Sequence, residues 1–257
     1  MKVDAILPAA GRISGDFAVE AGAEIKALIP LCGRNLLERT VATLRATGRV
    51  GRIVIIGPRE LTAHPAARAA DAALPEVGSG PANILRGMEW LYEANGGRHA
   101  EQVLILTTDL AFLTSQAITS FLDACPGGLD ACLPLIRREE FEARFPGLVI
   151  EYVRLRDGEW TMGCVFLVNP AAIARNRAMI ERAFAARKSQ IRMVRLLGPV
   201  FIARFLTRRL AIPHIEERCL KLLGCTGAGI RGCAPELALD IDRPEDYRYA
   251  AAHCVEP

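Results

Sequence analysis

The sequence predicts a three-layer α/β/α sandwich around a mainly parallel, mixed sheet, and three observations carry that expectation. The chain has 257 residues, 51% of them hydrophobic, which is enough for one sizeable core and unlike a disordered chain. Short apolar runs at residues 5–9, 52–56 and 103–108 are separated by stretches with helical apolar spacing. Strands alternating with helices imply right-handed crossovers and a sheet covered on both faces.

Residues 5–9 form a strand that Gly11 ends, and the loop RISGDFAVEAGAE follows. Residues 36–46 set Leu37, Val41 and Leu44 on one helical face, with Gly48 beyond as terminator. RIVII at 52–56 is a second buried strand, and residues 81–94 form a helix that turns Ile84, Leu85, Met88 and Leu91 inward. Residues 103–108 are a third strand and 115–124 a further helix. Beyond Ala124 the rhythm changes. Residues 131–135, 149–155 and 164–168 are strand-like, 173–186 is an Arg-rich helix, and 193–206 is apolar apart from Arg195 and Arg204. LALDIDRPEDYRYAAAH reads as a strand turning into a helix. No repeat or linker breaks the chain, and Pro126-Gly127-Gly128 reads as a turn. The expectation is one domain over residues 1–257 with a basic helical insertion at 173–221.

Charge is uneven. Residues 173–221 carry 12 Lys and Arg against three acidic residues, a net of +9 that leaves −6 on the rest of a chain whose total is +3. Such a segment lies on an anionic membrane surface, closes over an anionic substrate, or packs on the sheet with its arginines solvated. Nucleic acid is disfavoured, because the only aromatics there are Phe184, Phe201 and Phe205. No apolar run reaches the ~18 residues of a membrane span, and the amino terminus reads as a first strand rather than a secretory signal. The eight cysteines form no CxxC, and Cys219, Cys225 and Cys233 lack zinc-site spacing. Scattered thiols in apolar surroundings fit a reducing cytoplasm.

In open α/β sheets ligands gather at the carboxyl ends of strands. That rim holds the loop after the first strand and Asp109, which ends the run VLILTTD. The loop has neither GxGxxG nor GxxxxGK[ST], so it is neither a dinucleotide fingerprint nor a P-loop. Lys26 is the only lysine between Lys2 and Lys188; it is a compact cation for a triphosphate or a solvated surface lysine. Asp109 is a turn carboxylate or a ligand. Asp242-Arg-Pro-Glu is a helix start, with Asp242 as N-cap and Glu245 as its capping-box partner, or a second ligand. Two hard oxygen donors at two strand ends suit Mg²⁺.

The segment AAGR, its loop and KALIPLCGRNLLERTVATL resembles the amino-terminal signature of the MobA-like nucleotidyltransferases, which have a GT-A-type fold. Leu7, Ala10, Gly11, Lys26, Leu28, Pro30, Leu31, Gly33, Leu36, Leu37 and Glu38 match its pattern. The chain departs from it in having one glycine, a longer loop and Arg12 in place of the usual arginine. TTDLAFLT is similar to the family's strand end, with Ala111 in place of proline, and ALDIDRPEDY to its Asp-x-Asp-Thr-Pro-Glu-Asp segment. GSGPAN at 78–83 is a weaker match.

The resemblance implies transfer of an NMP from an NTP, CTP or GTP, to a phosphorylated acceptor, with release of pyrophosphate. It implies Mg²⁺ or Mn²⁺ on Asp109 and Asp242, and Lys26, Asp109 and Asp242 as the catalytic set. It places nucleotide contacts at Leu7, Ala9, Ala10, Gly11, Arg12, Lys26, Gly80, Asn83 and Asp109. Acceptor contacts fall to Arg137, Arg138, Arg154 and Lys188, which otherwise read as exposed charges. A GT-A glycosyltransferase uses the same metal logic but shows its DxD at mid-chain, and the DID at 240–242 comes too late in the chain. A non-catalytic nucleotide-binding or membrane-associated relative is the other alternative.

Overall fold

The computed structural model describes residues 2–186 and 196–254. Lys188 and residues 193–195 of the apolar stretch lie outside them. The chain opens with β1 (Val3–Pro8), α1 (Gly15–Ala21) and a hairpin of β2 (Pro30–Leu31) and β3 (Arg34–Asn35). Next come α2 (Leu36–Ala46), β4 (Val50–Gly57), the single turn α3 (Arg59–Thr62), β5 (Ala72–Pro75) and α4 (Gly80–Ala94). Then follow β6 (Val103–Leu106), α5 (Ser115–Ala124), β7 (Ala131–Arg137), α6 (Arg138–Arg144), β8 (Val153–Leu155), β9 (Gly158–Met162) and β10 (Val165–Val168). The last third holds α7 (Pro170–Arg175), α8 (Arg177–Ala186), α9 (Pro199–Leu206), α10 (Ile212–Leu223), β11 (Gly227–Arg231) and α11 (Pro244–His253).

The strands form a nine-stranded mixed sheet in the order β5-β4-β1-β6-β10-β7-β9-β8, with β11 pairing with β7. The β5, β4, β1 and β6 pairings are parallel, and β10 runs antiparallel between β6 and β7. Two reversals restore direction, so the carboxyl ends of β6 and β7 share one rim.

Alternation along β1 sends Ile6 to one face and Ala5 and Leu7 to the other, all fully buried. Ile6, Val54, Ile56 and Ile105 pack with Leu85, Met88 and Leu91 of α4. Leu7, Ile53, Ile55 and Leu104 pack with Leu37, Val41 and Leu44 of α2 and Ile118 and Phe121 of α5. Gly87 sets the first contact: a Cβ there would lie 2.8 Å from Cγ2 of Ile6, so only glycine lets α4 close on β1. Helix α2 starts on a capping box, with Asn35 accepting from the Glu38 amide at 2.9 Å and Glu38 returning the bond to the Asn35 amide at 3.1 Å.

Several elements differ from expectation. The helix at 173–186 is broken at Asn176 into α7 and α8, with Asn169 capping the first through the Ala171 amide at 3.0 Å. Residues 149–152 lie outside any strand, and pairing begins at Val153. Residues 237–242 are no strand; they carry only a single bridge, from Asp240 to Leu110. Helix α1 and strands β5, β9 and β11 carry too little apolar periodicity to be read. The cysteine reading also changes, because a disulfide joins Cys32 to Cys254 across 222 residues.

Candidate active site

Asp109 lies just past β6 and is fixed by backbone rather than by a cap. Its carbonyl accepts from the Ile241 amide at 3.0 Å, beside the Leu110–Asp240 bridge. That clamp draws the late DID segment onto the rim. Extended backbone alternates its side chains, so Asp240 and Asp242 face the site while Ile241 is fully buried behind them. Asp109, Asp240 and Asp242 each offer a carboxylate oxygen, and the three oxygens lie within 4.8 Å of one another.

Lys26 completes the cluster. Its Nζ is 3.4 Å from Oδ2 of Asp109 and in close contact with Oδ1 of Asp242. The strand-to-loop geometry explains its place. The Lys26 amide donates to the Gly11 carbonyl at 2.9 Å, and a Cβ on Gly11 would meet Cδ of Lys26 at 3.1 Å, so the lysine stem passes directly over the glycine. The side chains of Lys26 and Asp109 are only 16% and 13% exposed, against 63% for Asp242. Burial works against the Lys26 charge, but the carboxylates of Asp109, Asp242 and Asp240 outweigh it and hold its pKa above the ordinary lysine value. Burial also pushes Asp240 up to about 6, reinforced by the charges of Asp109 and Asp242.

The residues fit a divalent cation. Oδ1 of Asp109 is buried and has no hydrogen-bond partner, in a cluster made only of hard oxygen donors. The capping alternatives fall away. Thr114 caps α5, accepting from the Ala117 amide at 3.1 Å, and Arg243 stands at the N-cap of α11. The capping-box carboxylate is Asp246, taking the Arg243 amide at 2.9 Å, so Asp242 is left to the site and Glu245 is not its partner.

The other expected contacts are placed less uniformly. Leu7 and Ala9 are buried, and Ala10 and Gly11 form the accessible turn. Arg12 is paired with Glu60 of α3 at 3.3 Å. Gly80 opens α4 behind the Ser79 cap. Asn83 is buried, and its Oδ1 takes the Val77 amide at 2.8 Å, so it braces the loop before α4 rather than presenting its carbonyl to a ligand. Arg138 is paired with Glu142 at 2.8 Å and Glu159 at 3.0 Å, so an acceptor phosphate there would compete with two carboxylates. Arg137 lies over the Trp160 ring, and neither it nor Arg154 makes an ion pair among the described residues. Sequence reasoning missed Asp240. The period-two spacing of DID on an extended segment is the available signal, since it sets Asp240 on the same face as Asp242.

The architecture is shared with solved nucleotidyltransferases. A hypothetical transferase from Thermus thermophilus superposes with a TM-score of 0.83 at 29% identity, covering 96% of this chain and 99% of that one. The 2-C-methyl-D-erythritol 4-phosphate cytidylyltransferase of the same organism has the same fold, with a TM-score of 0.55, 20% identity and 98% of each chain covered. A protein of the same name from Saccharopolyspora erythraea is 43% identical over 61 residues, 23% of this chain and about a quarter (25%) of that relative's length. Residues 13–195 match the MobA-like NTP transferase domain. The chain belongs to that family.

Proposed function

We propose that the protein is a metal-dependent nucleotidyltransferase that moves an NMP from CTP or GTP to a phosphorylated small-molecule acceptor. A phosphate oxygen of the acceptor attacks the α-phosphorus, the new P–O bond forms as the α–β bridge breaks, and pyrophosphate leaves. The observation that carries this reading is the meeting of Lys26, Asp109, Asp240 and Asp242 at the rim where the Gly11 turn ends. The family assignment favours it over a glycosyltransferase, although the DID does sit in the site.

Asp109, Asp240 and Asp242 would hold Mg²⁺ or Mn²⁺, which supplies charge neutralisation on the phosphates. Lys26 is the mobile partner in this reading: its ammonium balances the carboxylates without nucleotide and turns to the triphosphate when one binds. The amides of the Ala10–Gly11 turn face the same phosphates. Arg137 and Arg154 are the remaining acceptor candidates. The cytidylyltransferase names of the relatives favour CTP.

The reading includes a cytoplasmic enzyme that touches anionic membrane surface through residues 173–221. No described helix is long and apolar enough to cross a membrane, while Val200, Phe205 and Leu206 of α9 are exposed beside Arg204. Mass spectrometry after alkylation of protein taken from intact cells tests the compartment: Cys32 and Cys254 carry label there, and a protected pair contradicts a reducing location. The activity is tested by pyrophosphate release over four NTPs and a panel of phosphorylated acceptors with Mg²⁺ or Mn²⁺.

A further inference from the structure

A cavity of about 340 Å³ lies between α10 and one face of β7, β8, β9 and β11, separate from the carboxylate cluster. Strand register explains its floor. Ala131 pairs with Gly227, Leu133 with Gly229, Leu135 with Met162, and Trp160 with Val153, so these residues share one face. Gly229 gives its place to the Leu135 side chain, whose Cδ1 would lie 2.4 Å from a Cβ there, and the cavity beside it under α10 is lined almost wholly by hydrocarbon. The one carboxylate there, Glu216, is bound to the Gly229 amide at 2.9 Å.

The Leu135–Met162 end of the cavity lies towards the active-site end of the sheet. Leu135 lies near the carboxyl end of β7, on the side of the sheet that ends in the Asp109 rim, and Met162 at the end of β9 pairs with it. Met162 and Val153 are half exposed, an apolar lip. Two residues after Met162, about 6–7 Å of extended chain, Sγ of Cys164 is 3.8 Å from Oδ2 of Asp240. One cation at the lip is free to meet a phosphate: Arg137 lies over the Trp160 ring at 4.9 Å and makes no ion pair among the described residues, whereas Arg231, 6.0 Å from that ring, is held by Asp157 at 3.4 Å.

We propose that the acceptor is amphiphilic: an alkyl or prenyl tail lies in this cavity, and its phosphate reaches over Met162 and Cys164 to the carboxylate cluster. This rests on the transferase reading for the chemistry at the phosphate, but not for the tail site itself. A headgroup with no hydrocarbon would leave the cavity and its lip unused.

The test uses n-alkyl phosphates of two to twelve carbons against the full-length protein. Binding is read as displacement of a fluorescent dodecyl phosphate, and turnover as pyrophosphate release with CTP and Mg²⁺. Affinity is expected to rise about fourfold per added methylene over the first several carbons. Leu133→Trp from the sheet and Cys219→Trp from the helix each fill the cavity and are expected to flatten that ladder at least tenfold at ten carbons. Thermal shift by CTP, unchanged in both variants, shows that they are folded. Equal affinity across chain lengths, or a ladder that survives in both folded variants, overturns the proposal. A ladder without turnover on any acceptor leaves the tail site standing and overturns the transferase reading; turnover on two-carbon and twelve-carbon phosphates alike does the reverse.

Discussion

Asp240 behaves differently from its two neighbours. An aspartate in the unfolded chain protonates near pH ~3.9, whereas burial beside Asp109 and Asp242 moves Asp240 up to about 6. Between those values the folded protein binds more protons than the unfolded one, so this group makes stability fall as pH rises from about 4 to about 6. Urea midpoints of metal-free protein across that range are expected to show the decline, and Asp240→Asn to remove most of it. Asp109→Ala is expected to lower pyrophosphate release by at least ~10³-fold with the fold intact, since it removes a donor from charge stabilisation at the phosphates. Lys26→Met is expected to cost ~10²–10³-fold in kcat/KM, and Lys26→Arg to restore little of it, because a planar guanidinium does not replace a compact ammonium between Asp109 and Asp242. Asp109, Asp242 and Lys26 were legible in the sequence through their order. Asp240 was only half legible: the DID spacing sets it on one face with Asp242, but the backbone bridge to Leu110 that brings it to Asp109 has no local pattern.

Among the elements, those with strong period-3.6 faces were read closely: α2 and α5 fall on the expected residues. The failures have physical causes. β11 reads GAGIR, and two glycines hide a strand whose pairing with β7 supplies its reason to exist. Helix α1 is only seven residues long and its apolar face is just Phe17, Ala18 and Ala21, too short a pattern to detect, although Gly22 in the left-handed conformation at its end was a usable stop signal. Gly87 gives a direct test of the α4–β1 contact. Gly87→Val is expected to destabilise by about 1–3 kcal/mol through overpacking against Ile6 and Ile56, read as a lower urea midpoint. The disulfide ties the β2–β3 hairpin to the end of α11, closing a loop of most of the chain. Under oxidising conditions Cys254→Ser is expected to lower stability by about 2–5 kcal/mol, and under reducing conditions to leave it unchanged.

At the scale of the molecule, one sheet serves two tasks. Its parallel half carries the Gly11 turn and Asp109, and its antiparallel half, β9 and β8 beyond β7, raises an apolar floor beside them. The basic segment follows from the same division, since its helices α9 and α10 bring Arg204, Arg218 and Lys221 beside that antiparallel half. Sedimentation with vesicles rich in anionic lipid is expected to carry the protein down at low salt and release it at high salt, with neutral vesicles inert. The central claim is that the rim cluster transfers a nucleotide. Its most direct measurement is pyrophosphate release, crossing four NTPs with phosphorylated acceptors, with Mg²⁺ and with chelator. The account predicts release with CTP or GTP that needs metal and acceptor and vanishes in Asp109→Ala. Release that persists undiminished in Asp109→Ala, or none with any nucleotide and acceptor, would contradict it.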